Sequence, residues 1–376
     1  MEVENKLQSY LNNIASYFKK SKSHSVGIDL GNNSLKIVEL EKKDGKIKLK
    51  NYALVKMKES LSEKDVRFFS GQMVFEVLKE LSIKKKDISI AIPSYSSFIT
   101  LIEVAGQTEE EIKGEIEYEA VKYIPVDLEE VVFDWQIIET PLSKNKKQKT
   151  EKNLAEVQKE IELETSKVLL VSTMKNVSSE LQKSFNNKKL SIDSIEVNCF
   201  SLQRALSHDK KDTCLIFDMG GKITNIIGVK EGQLLFNRNI DLAGDRITDL
   251  IAKSLNISRD RAEKLKKEQG FKSDSKIVVE NILKPVFDSI MKEAKKNMEE
   301  FEEFKMGTVN KIILSGGTSD MEGAKEYIQS KMKIEVFKGN PWSQVEYPKE
   351  IEKKILAKNS FFGIAVGLAL AGLLEE

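Results

Sequence analysis

The chain has 376 residues, enough for two or three domains with substantial cores, and its 40% hydrophobic and 32% charged shares mark a folded globular protein. Its 60 basic and 59 acidic residues nearly cancel, which argues against a generally basic nucleic-acid binder. Two cysteines (Cys199, Cys214) and two histidines (His24, His208) exclude a disulfide framework and are too few for a zinc site, so a reducing cytoplasm is the expected compartment.

Residues 1–23 predict a helix with Leu7, Leu11, Ile14 and Phe18 on one face, ending in "KKSK". Such a helix packs on the body or on another subunit, or tethers the chain to an anionic membrane surface. From Val26 to Leu54 the pattern gives three strands, with turns at Gly31-Asn32-Asn33-Ser34 and at "KKDG". A helix around Phe68 to Leu81 and a buried strand from Ile88 to Pro93 complete β-β-β-α-β, a mixed sheet with a crossover helix.

The next segment differs in character. "SSFITLIEV" reads as a strand, and "TEEEIKGEIEYEAVKYIP" as a helix. Thr108 and Glu111 form its capping box, Ile112, Ile116, Ala120 and Ile124 its apolar stripe, and Pro125 its stop. The strand "EVVFDWQII" follows, then a polar, lysine-rich excursion over residues 141–167. "VLLVSTM" resumes as a strand, and a helix around Val177, Leu181 and Phe185 comes next. The unit predicts a small inserted strand–helix–strand–strand subdomain. Near the end, "FFGIAVGLALAGLL" is about 14 residues, short of the roughly 20 a spanning helix needs, so a buried core helix is expected. Neither a signal peptide nor a transmembrane span is predicted.

Two stretches pair a strand with an Asp-x-Gly turn and a second strand. "VGIDLGNNSLKIVEL" carries Asp29 and Gly31, and "CLIFDMGGKITNIIGV" carries Asp218, Gly220 and Gly221. The aspartates lie 189 positions apart, about one domain length, which points to a duplicated architecture. Turns of this kind suit a polyphosphate: glycine lets backbone N–H groups approach phosphate oxygens, and a nearby carboxylate holds Mg²⁺ through water. Two such hairpins facing each other would clasp the phosphates from both sides. A third element, "KIILSGGTSDMEGAKEYI", sends an apolar strand into Gly316-Gly317-Thr318, with a helix expected to begin near Met321. Gly-Gly there lets a flat ligand lie against the backbone.

In this order the motifs resemble those of the actin-like ATPase superfamily. "DLGNNSLK" is similar to its first phosphate motif, "DMGGKIT" to its second and "ILSGGTS" to its adenosine motif. "AGDRITDLIAKSL", "RAEKLKKEQG" and the "YIP" and "DWQ" stretches resemble the bacterial branch that holds FtsA and PilM, with PilM the nearer family. The resemblance implies an α/β, actin-like ATPase fold: two duplicated domains with mixed sheets around a nucleotide cleft, plus the small inserted subdomain. The implied domains are residues 24–93 with 190–212 and 350–376, then 94–189 as the insertion, then 213–349 as the second actin-like domain.

The resemblance also implies ATP and Mg²⁺ as ligands. Asp29, Gly31, Asn32, Asn33, Ser34 and Lys36 would hold phosphate from one side, and Asp218, Gly220, Gly221 and Thr224 from the other. Gly244, Asp245, Glu263, Lys266, Gly316, Gly317 and Thr318 would meet the rest of the nucleotide, with Asp29 and Asp218 as metal residues. Lys222, and Ala243 in place of a glycine, depart from the family pattern. The implied role is an ATP-binding cytoplasmic scaffold of type IV pilus assembly, at most a slow ATPase. It is recruited to the inner face of the membrane by the cytoplasmic N-terminal peptide of a PilN-like protein. Self-association stays open, and an FtsA-like tether of a filament to the membrane is the alternative.

Overall fold

The structure, a computed structural model, describes residues 23–57, 63–84, 87–140, 165–207, 209, 211–271 and 279–374. Residues 1–22 of the predicted N-terminal helix (1–23) and most of the lysine-rich excursion lie outside the described residues. In chain order come β1 (His24–Leu30), β2 (Ser34–Lys43), β3 (Lys46–Lys56), α1 (Glu63–Glu80) and β4 (Asp87–Ile92). Next are β5 (Ser97–Ala105), α2 (Glu109–Tyr123), β6 (Val131–Glu139), β7 (Thr165–Met174), α3 (Lys175–Asn186), β8 (Ser191–Val197) and α4 (Asn198–Leu206). The second half holds β9 (Thr213–Met219), β10 (Thr224–Lys230), β11 (Gln233–Ile240), α5 (Gly244–Leu255), α6 (Arg259–Gln269) and α7 (Glu280–Glu303). Then follow β12 (Lys311–Ser315), α8 (Ala324–Met332), β13 (Glu335–Lys338), α9 (Glu352–Leu356) and α10 (Asn359–Ala371). β7 starts at Thr165, three residues before the predicted strand.

The chain divides into two compact units. The first takes Met1–Ile92, Glu180–Ala205 and Asn340–Glu376. Its sheet runs β3-β2-β1-β4-β8, with β1, β2 and β3 antiparallel and β4 and β8 parallel to β1. A central strand is covered on both faces, which is why β1 is buried from Ser25 to Leu30, with Val26, Ile28 and Leu30 as its apolar side chains. Gly27 interrupts that run for a packing reason: a Cβ there would lie 2.1 Å from the Ala365 carbonyl oxygen of α10. Only a bare backbone lets helix and strand approach this closely. Phe362, Ala365, Val366, Ala369 and Leu370 of α10 share a core with Val38, Leu40 and Trp342. The apolar segment near the end is thus a buried helix. Among the described residues no single helix is long and apolar enough to cross a membrane.

The second unit takes Pro93–Ser179 and Leu206–Gly339. Its main sheet, β11-β10-β9-β12-β13, repeats the first in order and orientation, with β9 to β11 antiparallel and β12 and β13 parallel to β9. Two sheets of one pattern, each with its helices, are the duplicated α/β actin-like architecture that the paired motifs predict. The same unit holds the three-stranded antiparallel sheet β5-β7-β6. α2 covers it through Ile112, Ile116 and Ala120, which pack with Ile102, Val104, Val168 and Leu170. The capping box forms as predicted: Glu111 N–H donates to Thr108 Oγ1 at 3.3 Å, and Thr108 N–H donates to Glu111 Oε2 at 3.3 Å. Leu101 extends into the large core around Phe217, Ile247 and Phe287. Arg238 fastens the small sheet by donating to the Ile99 carbonyl at 3.2 Å and pairing with Glu300 at 3.1 Å.

Candidate functional site

The two Asp-x-Gly turns are built alike. In the first unit Gly31 N–H donates to the Ser34 carbonyl at 3.1 Å, and in the second Gly220 N–H donates to the Ile223 carbonyl at 3.1 Å. Each bond closes a tight turn between antiparallel strands. Each aspartate also faces the residue seven positions on: Asp29 pairs in register with Lys36, and Asp218 with Asn225.

The side chains make different contacts. Lys36 Nζ lies 2.9 Å from Asp29 Oδ2, and Asp29 is buried. Across the second turn Asn225 Nδ2 donates to Asp218 Oδ2 at 3.2 Å, and Asp218 is half-buried. Asn32 and Gly31 stay half-buried and Asn33 is exposed, while Ser34 is buried as the first residue of β2. Asn33 closes its side of the turn by accepting the Met57 N–H at 3.0 Å.

In the second unit two of the predicted residues converge on one carbonyl. The oxygen of Gly220 accepts from Gly244 N–H at 3.1 Å and from Thr318 Oγ1 at 2.8 Å. Asp245 N–H donates to the Gly221 carbonyl at 2.7 Å, so the start of α5 docks on the second turn. Thr224 Oγ1 donates to the Leu242 carbonyl at 2.6 Å and ties β10 to the loop that leads there. Gly316 has φ +80°, and a Cβ on it would stand 2.4 Å from the Met219 carbonyl oxygen, so the strand–loop–helix element lies directly against the end of β9. Gly317 opens a 3-10 turn, Gly317–Asp320, and α8 begins at Ala324, later than the expected start near Met321.

Lys266 is turned inward. Its ammonium donates to the Gly244 carbonyl at 2.9 Å and to Thr248 Oγ1 at 2.8 Å, and stands 2.6 Å from Glu263 Oε2. Lys267 holds the other oxygen of Glu263 at 2.7 Å. Burial pushes the Glu263 carboxyl up, but hydrogen bonds from Lys266, Lys267 and Thr248 outweigh it and bring the pKa down to about 2. Burial lowers the pKa of Lys266, with Glu263 opposing. Three polar contacts keep that ammonium satisfied where it sits.

Within each unit, taken by itself, a glycine turn beside a carboxylate is a donor set of the kind that fits a magnesium-bound polyphosphate. Among the described residues no group of three or more His, Cys, Asp or Glu side chains could hold a metal on its own. Three polar residues of this site went unforeseen. Asn225 was legible as the counterpart of Lys36, since both stand seven after their aspartate. Thr248 and Ser94 carried no such signal. Ser94 Oγ lies 2.8 Å from Asn225 Oδ1 and 3.0 Å from Asn239 Oδ1, linking the start of the small sheet to the second hairpin.

Comparison with known proteins agrees with this architecture. A chain of the PilM–PilN type IV pilus biogenesis complex superposes with TM-score 0.75 at 21% identity, covering 94% of this chain and all of that one. The ethanolamine utilization protein EutJ from Carboxydothermus hydrogenoformans shares the fold at TM-score 0.51 and 16% identity, covering 97% of this chain and 98% of that one. The cell division protein FtsA of Pseudomonas aeruginosa is 26% identical over 238 residues, which is 56% of this chain and 55% of that protein, so the match spans about half its length. The family model for type IV pilus assembly protein PilM matches residues 27–373, and the chain belongs to that family, within the actin-like ATPases.

Proposed function

We propose that the chain is an ATP-binding cytoplasmic scaffold of type IV pilus assembly. In this reading it is recruited to the inner face of the membrane by docking the cytoplasmic N-terminal peptide of a PilN-like partner. The observation that carries the nucleotide half is the repeated turn, with the same backbone bond after Asp29 and after Asp218. Gly220, Gly221, Thr224, Gly244, Asp245, Gly316, Gly317 and Thr318 of the second unit are proposed to contact the nucleotide. Lys266 positions Glu263 for the ribose from behind. Asp29, Gly31, Asn32, Asn33, Ser34 and Lys36 of the first unit are proposed as further phosphate contacts. When bound, Mg²⁺ would offset the phosphate charge. Asp218 is the better water-mediated partner for it, because Asp29 is more buried and already held by Lys36.

The test for nucleotide is thermal stability with and without Mg-ATP. The wild type should gain stability by mass action, and Asp218→Ala should lose most of that gain. Equal gains in wild type, Asp29→Ala and Asp218→Ala would refute the assignment. For the partner, the scaffold should co-purify with a full-length PilN-like protein and not with one lacking its cytoplasmic peptide. The identity with FtsA favours a second reading, a membrane tether for a filament. Strong liposome binding by the chain alone would promote that reading over the scaffold.

A further inference from the structure

β3 forms one edge of the first unit's sheet. The first half of that edge is covered: Leu49 N–H donates to the Glu346 carbonyl at 2.9 Å, and Glu346 N–H to the Ile47 carbonyl at 2.8 Å. Beyond Leu49, among the described residues, no strand pairs with its outer side. Beside this stretch the segment Lys349–Leu356 meets α10 at a bend of 113°. A cavity of about 550 Å³ opens there, lined by Tyr52, Leu54 and Phe362 and by Lys353, Lys354 and Lys358. The three lysines are exposed, and none has a carboxylate partner among the described residues. Leu356 on α9 adds exposed apolar surface, at 42%.

Lysines suit the end of a helix, where the backbone carbonyls point outward, and this accounts for Lys353 and Lys354 in the last turn of α9. It does not account for Lys358 beyond that helix, nor for an apolar floor under all three. We infer that this groove docks an extended, acidic peptide of a partner protein, with bulky apolar side chains flanked by carboxylates. The apolar side chains would cover the half-buried Tyr52 and Leu54, the carboxylates would pair with the lysines, and the peptide backbone would add to the open edge of β3. An anionic lipid would satisfy the lysines but leave the strand edge unused. The site lies wholly within the first unit and goes beyond the proposed function, since it involves none of the proposed nucleotide residues.

The test uses the full chain and a short fluorescein-labelled peptide of leucines flanked by glutamates, followed by anisotropy. The ring of Trp342 stands 5.4 Å from that of Phe362, so in a Trp135→Phe background the remaining tryptophan reports on the groove. The peptide should bind and change that fluorescence, and the same peptide with lysine for glutamate should do neither. Reversing the lysines together (Lys353→Glu, Lys354→Glu, Lys358→Glu) should weaken binding by about tenfold or more while leaving the melting temperature unchanged, because all three are exposed. Leu54→Asp should weaken it independently of charge on the helix. Equal affinity in wild type and the triple variant would overturn the proposal. So would a wild type that ignores the peptide and binds phosphatidylglycerol vesicles through the same lysines.

Discussion

The hairpins after β1 and β9 share a backbone down to one hydrogen bond, yet the residue facing the aspartate is a lysine in one and an amide in the other. Burial accounts for the divergence. Asp29 is 7% exposed, and a carboxylate so far from water needs a cation at contact distance, which Lys36 supplies at 2.9 Å. Asp218 is half-buried, and an amide hydrogen bond suits a carboxylate that water also reaches. A duplicated fold therefore retains the turn geometry while each half sets its own electrostatics. The comparison teaches that turn shape and turn charge are separable properties of these motifs.

The strongest way to break the comparison is through the glycines that seat each sheet. Gly27 lies against α10 in the first unit, and Gly316 against Met219 in the second. Alanine at either should cost about 3 kcal/mol or more by denaturant unfolding, with Gly316→Ala the worse because its φ of +80° also disfavours a side chain. If Gly316→Ala unfolds at the wild-type midpoint, the close seating on β9 is wrong.

Next in size is the contrast between the two aspartate partners. Lys36→Met should destabilise by about 3 kcal/mol, because it strands a buried carboxylate. Asn225→Ala should cost only about 1–2 kcal/mol, the loss of a hydrogen-bonded amide. Comparable losses in the two variants would erase the distinction between the turns.

Acid should sharpen the contrast from the second unit. The Glu263 carboxyl falls from its ordinary value of 4.5 to about 2 on folding, so its contribution is present above about pH 4.5. That contribution fades as the pH drops from there toward 2, as the carboxylate takes a proton and releases Lys266 and Lys267. Glu263→Gln should flatten the pH dependence of unfolding in this window. An unchanged slope would show that the carboxylate is not held by the two lysines.

The smallest effect is expected at Ser94. Ser94→Ala should cost about 1 kcal/mol, and more of it when Asn225 is intact than when Asn225 is alanine. Additive losses in the double variant would show that the two residues do not act together.

Local chemistry made most of the architecture legible in advance. Strand alternation, the Thr108–Glu111 capping box and the repeated Asp-x-Gly turns each report on a few neighbouring residues, and each has its counterpart in the structure. The apolar stretch at Phe361 was readable as a core helix by its length alone. What stayed hidden depends on residues distant in the chain. Nothing near Lys266 announces that its ammonium turns onto Gly244 and Thr248, and nothing near Ser94 points to Asn225, 131 positions away. The late start of α8 has a similar cause. Gly317–Asp320 first forms a 3-10 turn, and the helix cannot begin until Gly323, in a left-handed conformation, redirects the chain.

Ser94 settles a question of orientation. A hydroxyl has one proton to give, and two amide oxygens stand within its reach, Asn225 at 2.8 Å and Asn239 at 3.0 Å. Asn239 has an alternative donor, since Asn237 Nδ2 lies 3.1 Å from the same oxygen. The serine proton therefore belongs to Asn225. Once that oxygen is engaged, the NH₂ end of the Asn225 amide must face Asp218, and the flipped amide would set oxygen against carboxylate. The serine proton at the root of the small sheet and the Asp218 carboxylate thus hold the Asn225 amide in one orientation from opposite ends. Withdrawing Ser94 would leave the Asn225 oxygen without that donor while the amide stays turned toward Asp218.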